Sequence, residues 1–219
     1  MCNLYSMTRN REAILRLFRI SDNRAAAYEP QSAIFPGYQA PGVRKAADGE
    51  RELVVLNWGF VLLQNDRAPK RVTNMRDDKA QTKFWRPSFE QRRCLVPASS
   101  YCEPKGEKPA MWHWFSVNGD DARPVFAFPG VWTRYKGPLK KNGDTVEQEV
   151  FAFMTTEPNE LTVSINHERM PVLLSDPADF ETWLSGSTEE AFKLARSYAA
   201  DQMRIVQSGS EREDLLRAA

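Results

Sequence analysis

Apolar and polar residues are spaced differently in successive segments of this chain, and each spacing predicts a kind of element. Over 12–18 the apolar residues recur at helical intervals, which predicts a short amphipathic helix capped by Thr8. Residues 21–50 show no period and are rich in Gly, Pro, Ala and charge, so they are predicted to form a long irregular connection. The apolar run at 52–56 predicts a buried strand, and Gly59 after it indicates a tight bend or a close backbone approach.

The middle of the chain has the short apolar runs of a β-rich region. Strands are predicted at 94–97, 100–103, 111–115, 124–128 and 149–154. The dipeptide Asn118-Gly119 predicts a hairpin joining the third of these strands to the fourth, and Asn142-Gly143 predicts a second hairpin further on.

Helical patterns return after residue 156. Start signals predict three helices: from Pro158 to Leu161, from Asp176-Pro177 to about Leu184, and from a capping box at Ser187. Residues 203–206 predict a last strand. With no repeats and no linker, the chain is predicted to be one α+β domain over 1–219, with mixed, mainly antiparallel, barrel-like sheets flanked by helices. Its core is expected at 1–207 and a mobile tail at 208–219.

Composition excludes several classes of protein. The 219 residues are 42% apolar, which is ordinary for a globular chain, and no apolar run approaches the ~20 residues of a membrane span. Charges scattered through the first twenty residues exclude a signal peptide. Three cysteines are too few for a disulfide framework and suit a reducing cytoplasm, and Cys94 and Cys102 are interpreted as half-buried thiols. The two histidines lack zinc spacing, so neither a metal site nor a cofactor is predicted.

Charge is distributed unevenly although the net charge is only +1. Residues 67–93 contain nine Lys or Arg against three Asp or Glu, a net +6 that leaves −5 for the rest of the chain. Three aromatic residues, Phe84, Trp85 and Phe89, are interleaved with these bases. Cations neutralise phosphates and aromatic faces stack on unpaired bases, so the segment suits single-stranded nucleic acid. A solvated basic face with core aromatics explains the composition equally well.

Cys2 offers a chemistry that no internal cysteine can offer. Aminopeptidases usually remove a methionine before a small residue such as cysteine, and loss of Met1 leaves an α-amine and a thiol on adjacent carbons. The amine titrates near ~7.7–8.0 and a free thiol near ~8.5, so both have a reactive fraction at neutral pH. Such an aminothiol condenses with an aldehyde to an imine, and the thiol then closes a thiazolidine ring. Position alone favours a cysteine without a special role.

Three other polar residues lie where a site could form. Asn74 could fix a sugar or a phosphate, or simply occupy a turn. Glu103 ends an apolar strand, where partial burial would raise its pKa, although an exposed strand end is equally consistent. His167 lies in a polar cluster between apolar segments, a common location for a site. His113, between two tryptophans, is interpreted as structural.

Several weak motifs occur in an order that is specific as a set. They are Cys2 at the N-terminus, Trp58-Gly59, Asn74-Met75-Arg76, the strand from Pro97 to Tyr101-Cys102-Glu103, and His167-Glu168-Arg169-Met170-Pro171. On this set the chain resembles the SOS response-associated peptidase (SRAP) family, which includes abasic-site sensors of bacteria and animals. The resemblance covers nearly the whole chain, and the His-x-Arg-Met-Pro segment is its most specific part.

The resemblance implies a function in DNA damage. Family members lose Met1 by self-processing and cross-link through the cysteine to the ring-opened aldehyde of an abasic site in single-stranded DNA. By motif, Cys2 would supply amine and thiol, Asn74 would hold the aminothiol and deoxyribose, Glu103 would transfer protons, and His167 would stabilise the deoxyribose oxygen. The implied DNA-binding residues are Trp58, Gly59, Arg71, Arg76, Trp85 and Arg169. Of these, Arg76 and Trp58 would contact the phosphate and the flanking base. A lyase activity through the imine and a monomeric, cytoplasmic, nucleoid-associated protein are also implied.

The sequence departs from the family pattern at several positions. Asn3 and Leu4 stand where Gly and Arg commonly follow the cysteine. Pro104 stands where Trp commonly follows the glutamate, and Tyr38 stands where Asn is frequent. These differences predict altered DNA contacts and leave the aminothiol intact.

Three competing functions remain open on sequence. An N-terminal-nucleophile amidohydrolase would use the thiol to attack an amide, with the α-amine as base, although the usual Gly-Ile after the cysteine is absent. A peptidase acting on other proteins is the second, and a non-catalytic single-stranded DNA-binding module, for which Cys2 would be dispensable, is the third.

Overall fold

Two β-sheets form the framework of the protein in a computed structural model that describes residues 2–106 and 109–215. In this part of the chain the strands are β1 (Tyr5–Met7), β2 (Gln31–Ile34), β3 (Gln39–Lys45), β4 (Arg51–Trp58), β5 (Phe60–Leu62), β6 (Lys70–Val72), β7 (Asn74–Arg76), β8 (Arg93–Ala98), β9 (Ser100–Lys105), β10 (Met111–Val117), β11 (Phe126–Pro138), β12 (Thr145–Thr156), β13 (Met170–Pro171) and β14 (Met203–Gly209). The helices there are α1 (Arg11–Phe18), α2 (Arg86–Gln91), α3 (Glu160–Val163), α4 (Pro177–Ser185) and α5 (Thr188–Phe192).

The larger sheet closes into a barrel. Its strands follow the order β11-β8-β3-β4-β12, and the pairing of β11 with β12 completes the ring. The neighbours are antiparallel apart from β4, which runs parallel to β12. Beyond the point where β4 ends, the same edge of β12 pairs in parallel with β7, so Asn74 lies opposite Phe153. The predicted α+β class with mainly antiparallel, barrel-like sheets is confirmed.

The smaller sheet brings the N-terminus into the fold. Its order is β14-β10-β9-β1-β2, and every pair is antiparallel. Ser99 alone separates β8 of the barrel from β9 of this sheet, so the two sheets share one continuous segment. β1, which follows Cys2, pairs with β9 at Tyr5↔Tyr101 and Ser6↔Ser100. This pairing carries Cys2 toward the end of β9 that bears Glu103.

The core between the sheets is aromatic. Tyr5, Trp58, Phe128 and Phe153 are fully buried, and their ring centroids lie 4.3–6.0 Å apart in edge-to-face and stacked pairs. Burying an apolar side chain of this size contributes roughly 1.5–3 kcal/mol, and aromatic pairing adds to it. Alternate residues of β1 and β9 face this core, while Leu4 and Cys102 face the opposite side of the smaller sheet with Trp114.

The predictions for α4 and α5 are confirmed, and local capping signals mark the start of both helices. The Asp176 side chain accepts a hydrogen bond from Ala178 N at the start of α4, and Ser187 with Glu190 forms a complete capping box for α5. The hairpin at Asn142-Gly143 is also confirmed, since it joins β11 to β12. No helix in the described ranges is long and apolar enough to cross a membrane.

Other local predictions are wrong. Helix α1 begins at Arg11 and is capped by Asn10, whose side chain accepts from Ala13 N, and Thr8 instead bonds to Ser99. The segment 21–50 is not an irregular connection, because it contains β2 and β3, which pair with strands distant in sequence. Helix α3 starts at Glu160 rather than at Pro158, since Asn159 supplies its cap.

Two long-range predictions are also wrong. Asn118-Gly119 does not close a hairpin, since β10 pairs with β9 and β14 while β11 belongs to the barrel. The tail is not free after residue 208: β14 extends to Gly209, and Asp214 is 2% exposed and ion-paired to Arg123. Residues 216–219 of the predicted tail lie outside the described residues.

Candidate active site

Cys2 is buried at the start of the smaller sheet. Its thiol donates to the carbonyl oxygen of Leu4 at 3.4 Å. Burial raises the pKa of this thiol well above its usual range, and the nearby carboxylate of Glu103 raises it further. The thiol is therefore in its neutral form at physiological pH. Cys94 and Cys102 are fully buried rather than half-buried.

Asn74 reaches Cys2 from the edge of the barrel. The pairing of β7 with β12 sets its backbone, and its side-chain Nδ2 donates to the carbonyl oxygen of Cys2 at 2.8 Å and to Thr73 Oγ1 at 2.7 Å. Its Oδ1 is buried and has no hydrogen-bond partner among the residues described. An unpartnered buried acceptor is costly, so this atom is available to a donor brought by a substrate or by a free amine.

Glu103 and His167 form a pair near Cys2, in which the carboxylate is buried and the ring half-buried. Oε2 of Glu103 lies 3.3 Å from Nδ1 of His167, and the carboxylate side chain is 1% exposed. Burial raises the pKa of Glu103 from 4.5 to about 7, whereas burial lowers the pKa of His167. Oε1 of Glu103 has no partner within the described part of the chain. The site thus holds a carboxyl group that can give or take a proton near neutrality.

The second ring nitrogen of His167 fixes its tautomer. Nε2 lies 2.7 Å from the carbonyl oxygen of Pro104, and because a carbonyl only accepts, Nε2 carries the hydrogen. Nδ1 of the neutral ring then presents a lone pair to Glu103. The protonated carboxyl can donate to that lone pair, so the two residues share one proton.

The family difference at Pro104 leaves this contact intact. His167 bonds the main-chain carbonyl of residue 104, so the side chain there does not enter the interaction. Leu4 is buried and packs with Cys102 and Trp114. Asn3 is exposed, and its Oδ1 accepts from Thr73 Oγ1 at 3.0 Å. Thr73 therefore links Asn3 to Asn74, a role for which the sequence carries no distinctive signal.

Trp58 does not occupy the place expected for a DNA-contacting residue. It is 0% exposed, its ring stacks on Phe151 and Phe153, and its indole Nε1 donates to the carbonyl oxygen of Thr73 at 3.1 Å. The expected contact with a base is corrected to a supporting contact, because Trp58 holds the segment that carries Asn74.

Gly59 is a close-approach position, as the sequence indicates. Its φ is +118°, and a Cβ there would lie 2.3 Å from Cγ of Arg71. The half-buried Arg71 side chain crosses this glycine, and its Nη1 donates to the carbonyl oxygen of Trp58 at 3.4 Å. Gly59 thus serves the packing of Arg71, and its own contact with DNA stays a prediction.

Three other residues expected to bind DNA differ in exposure: one is exposed and two are buried. Arg76 is exposed and pairs with Asp78 at 2.9 Å, an ion pair that a phosphate can replace. Trp85 is 5% exposed and packs on Phe60, so its ring is not available for stacking on a base in this structure. Arg169 is also buried.

The guanidinium of Arg169 is already used inside the fold. It pairs with Asp77 at 2.5 Å and with Glu157 at 3.2 Å. The carbonyl oxygen of Thr155 also accepts from its Nη2 at 2.6 Å. The expected contact of Arg169 with DNA is therefore corrected to a supporting role, since Arg169 holds the turn after Arg76. His113 is structural as interpreted, with Nδ1 2.8 Å from Ser208 Oγ.

Comparison with known proteins gives a consistent set of relatives. The family model described as SOS response associated peptidase (SRAP) matches residues 1–211. Abasic site processing protein YoqW of Bacillus subtilis (strain 168) is 28% identical over 225 residues, which cover 96% of this chain and 93% of that protein. Abasic site processing protein YobE of the same organism is 26% identical over 228 residues, covering 96% of this chain and 95% of that protein.

Two solved structures share the fold. A protein of Bordetella bronchiseptica has a TM-score of 0.74 at 20% identity and covers 95% of this chain and 98% of its own. A protein of Bacteroides thetaiotaomicron has a TM-score of 0.68 at 23% identity and covers 93% of this chain and 90% of its own.

Proposed function

The chain belongs to the SOS response associated peptidase (SRAP) family, and from this premise we propose that it processes abasic sites in single-stranded DNA by joining Cys2 covalently to the opened sugar. The observation that carries the proposal is the set of groups that lie around Cys2. The amide of Asn74 holds its carbonyl, and a carboxyl group with a pKa of about 7 lies beside its thiol.

The first step is the release of the α-amine. Water adds across the Met1–Cys2 peptide bond, which leaves free methionine and a chain that begins with a 1,2-aminothiol. We assign the peptidase activity in the family's name to this self-processing. The freed nitrogen belongs to the residue whose carbonyl Asn74 binds, so the unpartnered Oδ1 of Asn74 is a suitable acceptor for it.

The covalent step then follows the aldehyde chemistry of the sugar. The hemiacetal of the abasic site opens to an aldehyde, and the Cys2 amine adds to C1′ and expels water to give an imine. The thiol adds to the imine carbon, and its proton passes to the nitrogen, which closes the thiazolidine. Each step moves a proton between neighbouring heteroatoms, and neither an oxidant nor a reductant is needed.

Glu103 is the group suited to move these protons. With a pKa of about 7 it is part protonated and part ionised at neutral pH, so it can protonate the departing water and accept the thiol proton. His167 keeps the carboxyl oriented through Nδ1, and its neutral ring can accept a proton in turn. The pair also suits the deoxyribose ring oxygen, which takes up a proton as the sugar opens.

The state of the thiol favours this route over thiol-first chemistry. An amidohydrolase needs a thiolate or a base-activated thiol to attack an amide. Burial and the Glu103 carboxylate both raise the pKa of the Cys2 thiol, so its environment opposes the thiolate. An amine that reacts first and a thiol that closes the ring second is the order this environment supports.

The imine also gives a branch point. Removal of the C2′ proton from the imine expels the 3′ phosphate and cuts the strand, which is lyase chemistry. Ring closure by the thiol competes with this elimination and leaves the strand intact. DNA is held by the cations near Asn74, of which Arg71 and Arg76 are three residues before and two residues after it.

The test is the intact mass of the protein after incubation with single-stranded DNA containing one abasic site. We expect the mass of a chain that starts at Cys2 plus the DNA, less one water. Cys2→Ala, still processed to a free amine, keeps the imine and loses the ring, so borohydride traps an adduct that otherwise does not persist. A variant with one extra residue before Cys2 keeps the thiol but converts the amine to an amide. A heat-stable adduct from that extended variant contradicts the proposal.

A further inference from the structure

The last described residues cross the outer face of the smaller sheet. The guanidinium of Arg212 lies over the rings of Phe35 and Trp112, at 4.9 Å and 4.8 Å from their centroids. The indole Nε1 of Trp114 donates to the carbonyl oxygen of Glu211 at 3.3 Å. Residues 210–215, here called the C-terminal strap, therefore pack on the side of the sheet that faces away from the barrel.

The strap ends in a buried carboxylate with an unusual set of partners. Asp214 accepts from Arg123 Nε at 2.9 Å and from Nη2 at 2.7 Å. Its Oδ2 also accepts from the hydroxyls of Ser6 at 3.0 Å and Ser100 at 2.6 Å. Both the carboxylate and the guanidinium are buried, at 2% and 6% exposure. Charge-assisted hydrogen bonds of this kind are short and strongly directional.

The two serines are the paired residues of β1 and β9. Ser6 lies directly opposite Ser100 in the antiparallel register. Going back along β1 from Ser6 leads to Cys2, and going forward along β9 from Ser100 leads to Glu103, so both reactive residues lie on the same side of this pair. One carboxylate thus joins the two strands that bring the thiol and the proton-transfer group together.

The backbone ladder of β1 is short. It is three residues long, and its pairing with β2 is irregular between Tyr5 and Met7. A slip of one residue in a strand would turn every side chain to the other face of the sheet. Burial of Tyr5 and the hydrogen bond from Tyr28 Oη to Met7 O at 2.6 Å oppose such a movement. The hydrogen bonds of Asp214 with Ser6 and Ser100, called the clamp below, oppose it at the pair of residues that joins β1 to β9.

From these contacts we infer that Asp214 is a positioning residue for Cys2, which acts through Ser6 and Ser100 from the C-terminal strap. The inference rests on the proposed function for its effect on reaction rate. The clamp itself is independent of that function, and it lies beyond residue 211, where the match to the family model ends.

The kinetic test separates binding from reaction. Asp214→Asn keeps the shape of the side chain and removes its charge, and Ser6→Ala removes one hydroxyl from the clamp. We expect both to lower the cross-linking rate at saturating abasic single-stranded DNA by about 10- to 100-fold, since small displacements of reacting groups have effects of this size. The DNA concentration that gives half the maximal rate stays unchanged. Ser116→Ala is the matched control, because its buried hydroxyl donates to Ser99 O at 2.8 Å and does not touch Asp214.

A second readout needs no DNA. Cys102 is 1% exposed and packs with Leu4 and Trp114 on the face that the strap crosses, whereas Cys94 lies in the main core. We expect Asp214→Asn to increase alkylation of Cys102 relative to Cys94 in the folded protein, as measured by peptide mass. The inference is overturned if Asp214→Asn shows unchanged alkylation of Cys102 and a wild-type rate at saturating DNA. It is also overturned if Ser116→Ala loses as much rate as Asp214→Asn. A wild-type chain that forms no adduct overturns the proposed function instead, and the alkylation result still decides the clamp.

Discussion

Replacing Glu103 by Gln separates the chemistry of this site from its architecture. The amide is nearly isosteric, and its nitrogen can donate to Nδ1 of His167 across the 3.3 Å that now separates carboxylate and ring. It cannot carry a proton from one reactant to another. A positioned acid–base group contributes about 10²- to 10⁴-fold, so we expect Glu103→Gln to slow formation of the covalent adduct by that factor with DNA binding unchanged.

The same substitution has a predictable effect on stability. Folding raises the pKa of Glu103 from 4.5 to about 7, so the folded state binds more protons than the unfolded state between these values. Wild-type stability therefore falls as the pH rises from 4.5 to 7 and is level above 7. At about 1.4 kcal/mol per pKa unit, the loss amounts to roughly 3 kcal/mol. The glutamine variant has no carboxyl group to ionise at this position. We therefore expect its free energy of unfolding, relative to that of wild type, to be higher at pH 8 than at pH 4 by up to that amount.

Two assays check the two effects. Single-turnover adduct formation on denaturing gels, from pH 5 to 9, gives the rate, and wild type should show an inflection near pH 7 that the variant lacks. Urea unfolding at pH 4 and pH 8 gives the change in stability. Glu168→Gln is the matched control, since it alters an exposed carboxylate beside His167 and should change neither quantity. A glutamine variant with wild-type rate and pH profile, or with no gain in stability at high pH, refutes the reasoning.

Two further predictions concern DNA binding and support of the site. Replacing Arg71 and Arg76 by Ala should weaken binding to single-stranded DNA and lower the slope of log K against log salt by roughly one for each phosphate that the variant no longer neutralises. Exposed Lys141→Ala is the control. An unchanged slope in the arginine variants would mean that the DNA follows another path on the protein. Trp58→Phe removes the indole donor to Thr73 and should cost about 1 kcal/mol in urea unfolding and slow adduct formation, with the salt slope unchanged. Weaker binding of that variant to undamaged single-stranded DNA would restore Trp58 as a DNA contact, because a stacked ring adds affinity without changing the salt slope.

Local signals account for the elements that the sequence predicts correctly. The caps at Asp176 and Ser187 fix the starts of α4 and α5, because each satisfies backbone donors within its own first turn. Asn142-Gly143 closes a hairpin because its two strands are neighbours in the same sheet. Asn118-Gly119 has the same turn chemistry and closes none, since the strands on either side pair with distant segments.

Side-chain exposure is the property that the sequence predicts least well. Trp85 lies in the basic segment, whose composition makes it a candidate for stacking on bases, and the family resemblance makes Trp58 another candidate. Trp58, at the end of β4, packs on Phe153 in the core, and Trp85, directly before α2, packs on Phe60. Arg169 similarly belongs to a specific motif, yet its guanidinium is satisfied by Asp77 and Glu157. Which face of a strand is buried depends on its partners, and those lie far away in the chain.

The sequence by itself determined the chemistry available to this protein, because a cysteine at position 2 and the order of the motifs are properties of the chain alone. Only the tertiary structure decided how that chemistry is controlled. Glu103 and His167 are 64 positions apart in the sequence, and their contact, their burial and the resulting pKa values exist only once β9 packs beside the segment after α3. Asp214 reaches Ser6 in the same way, across the whole length of the chain. Desolvation and proximity are properties of a packed interior, and no local pattern encodes which distant residues will share it.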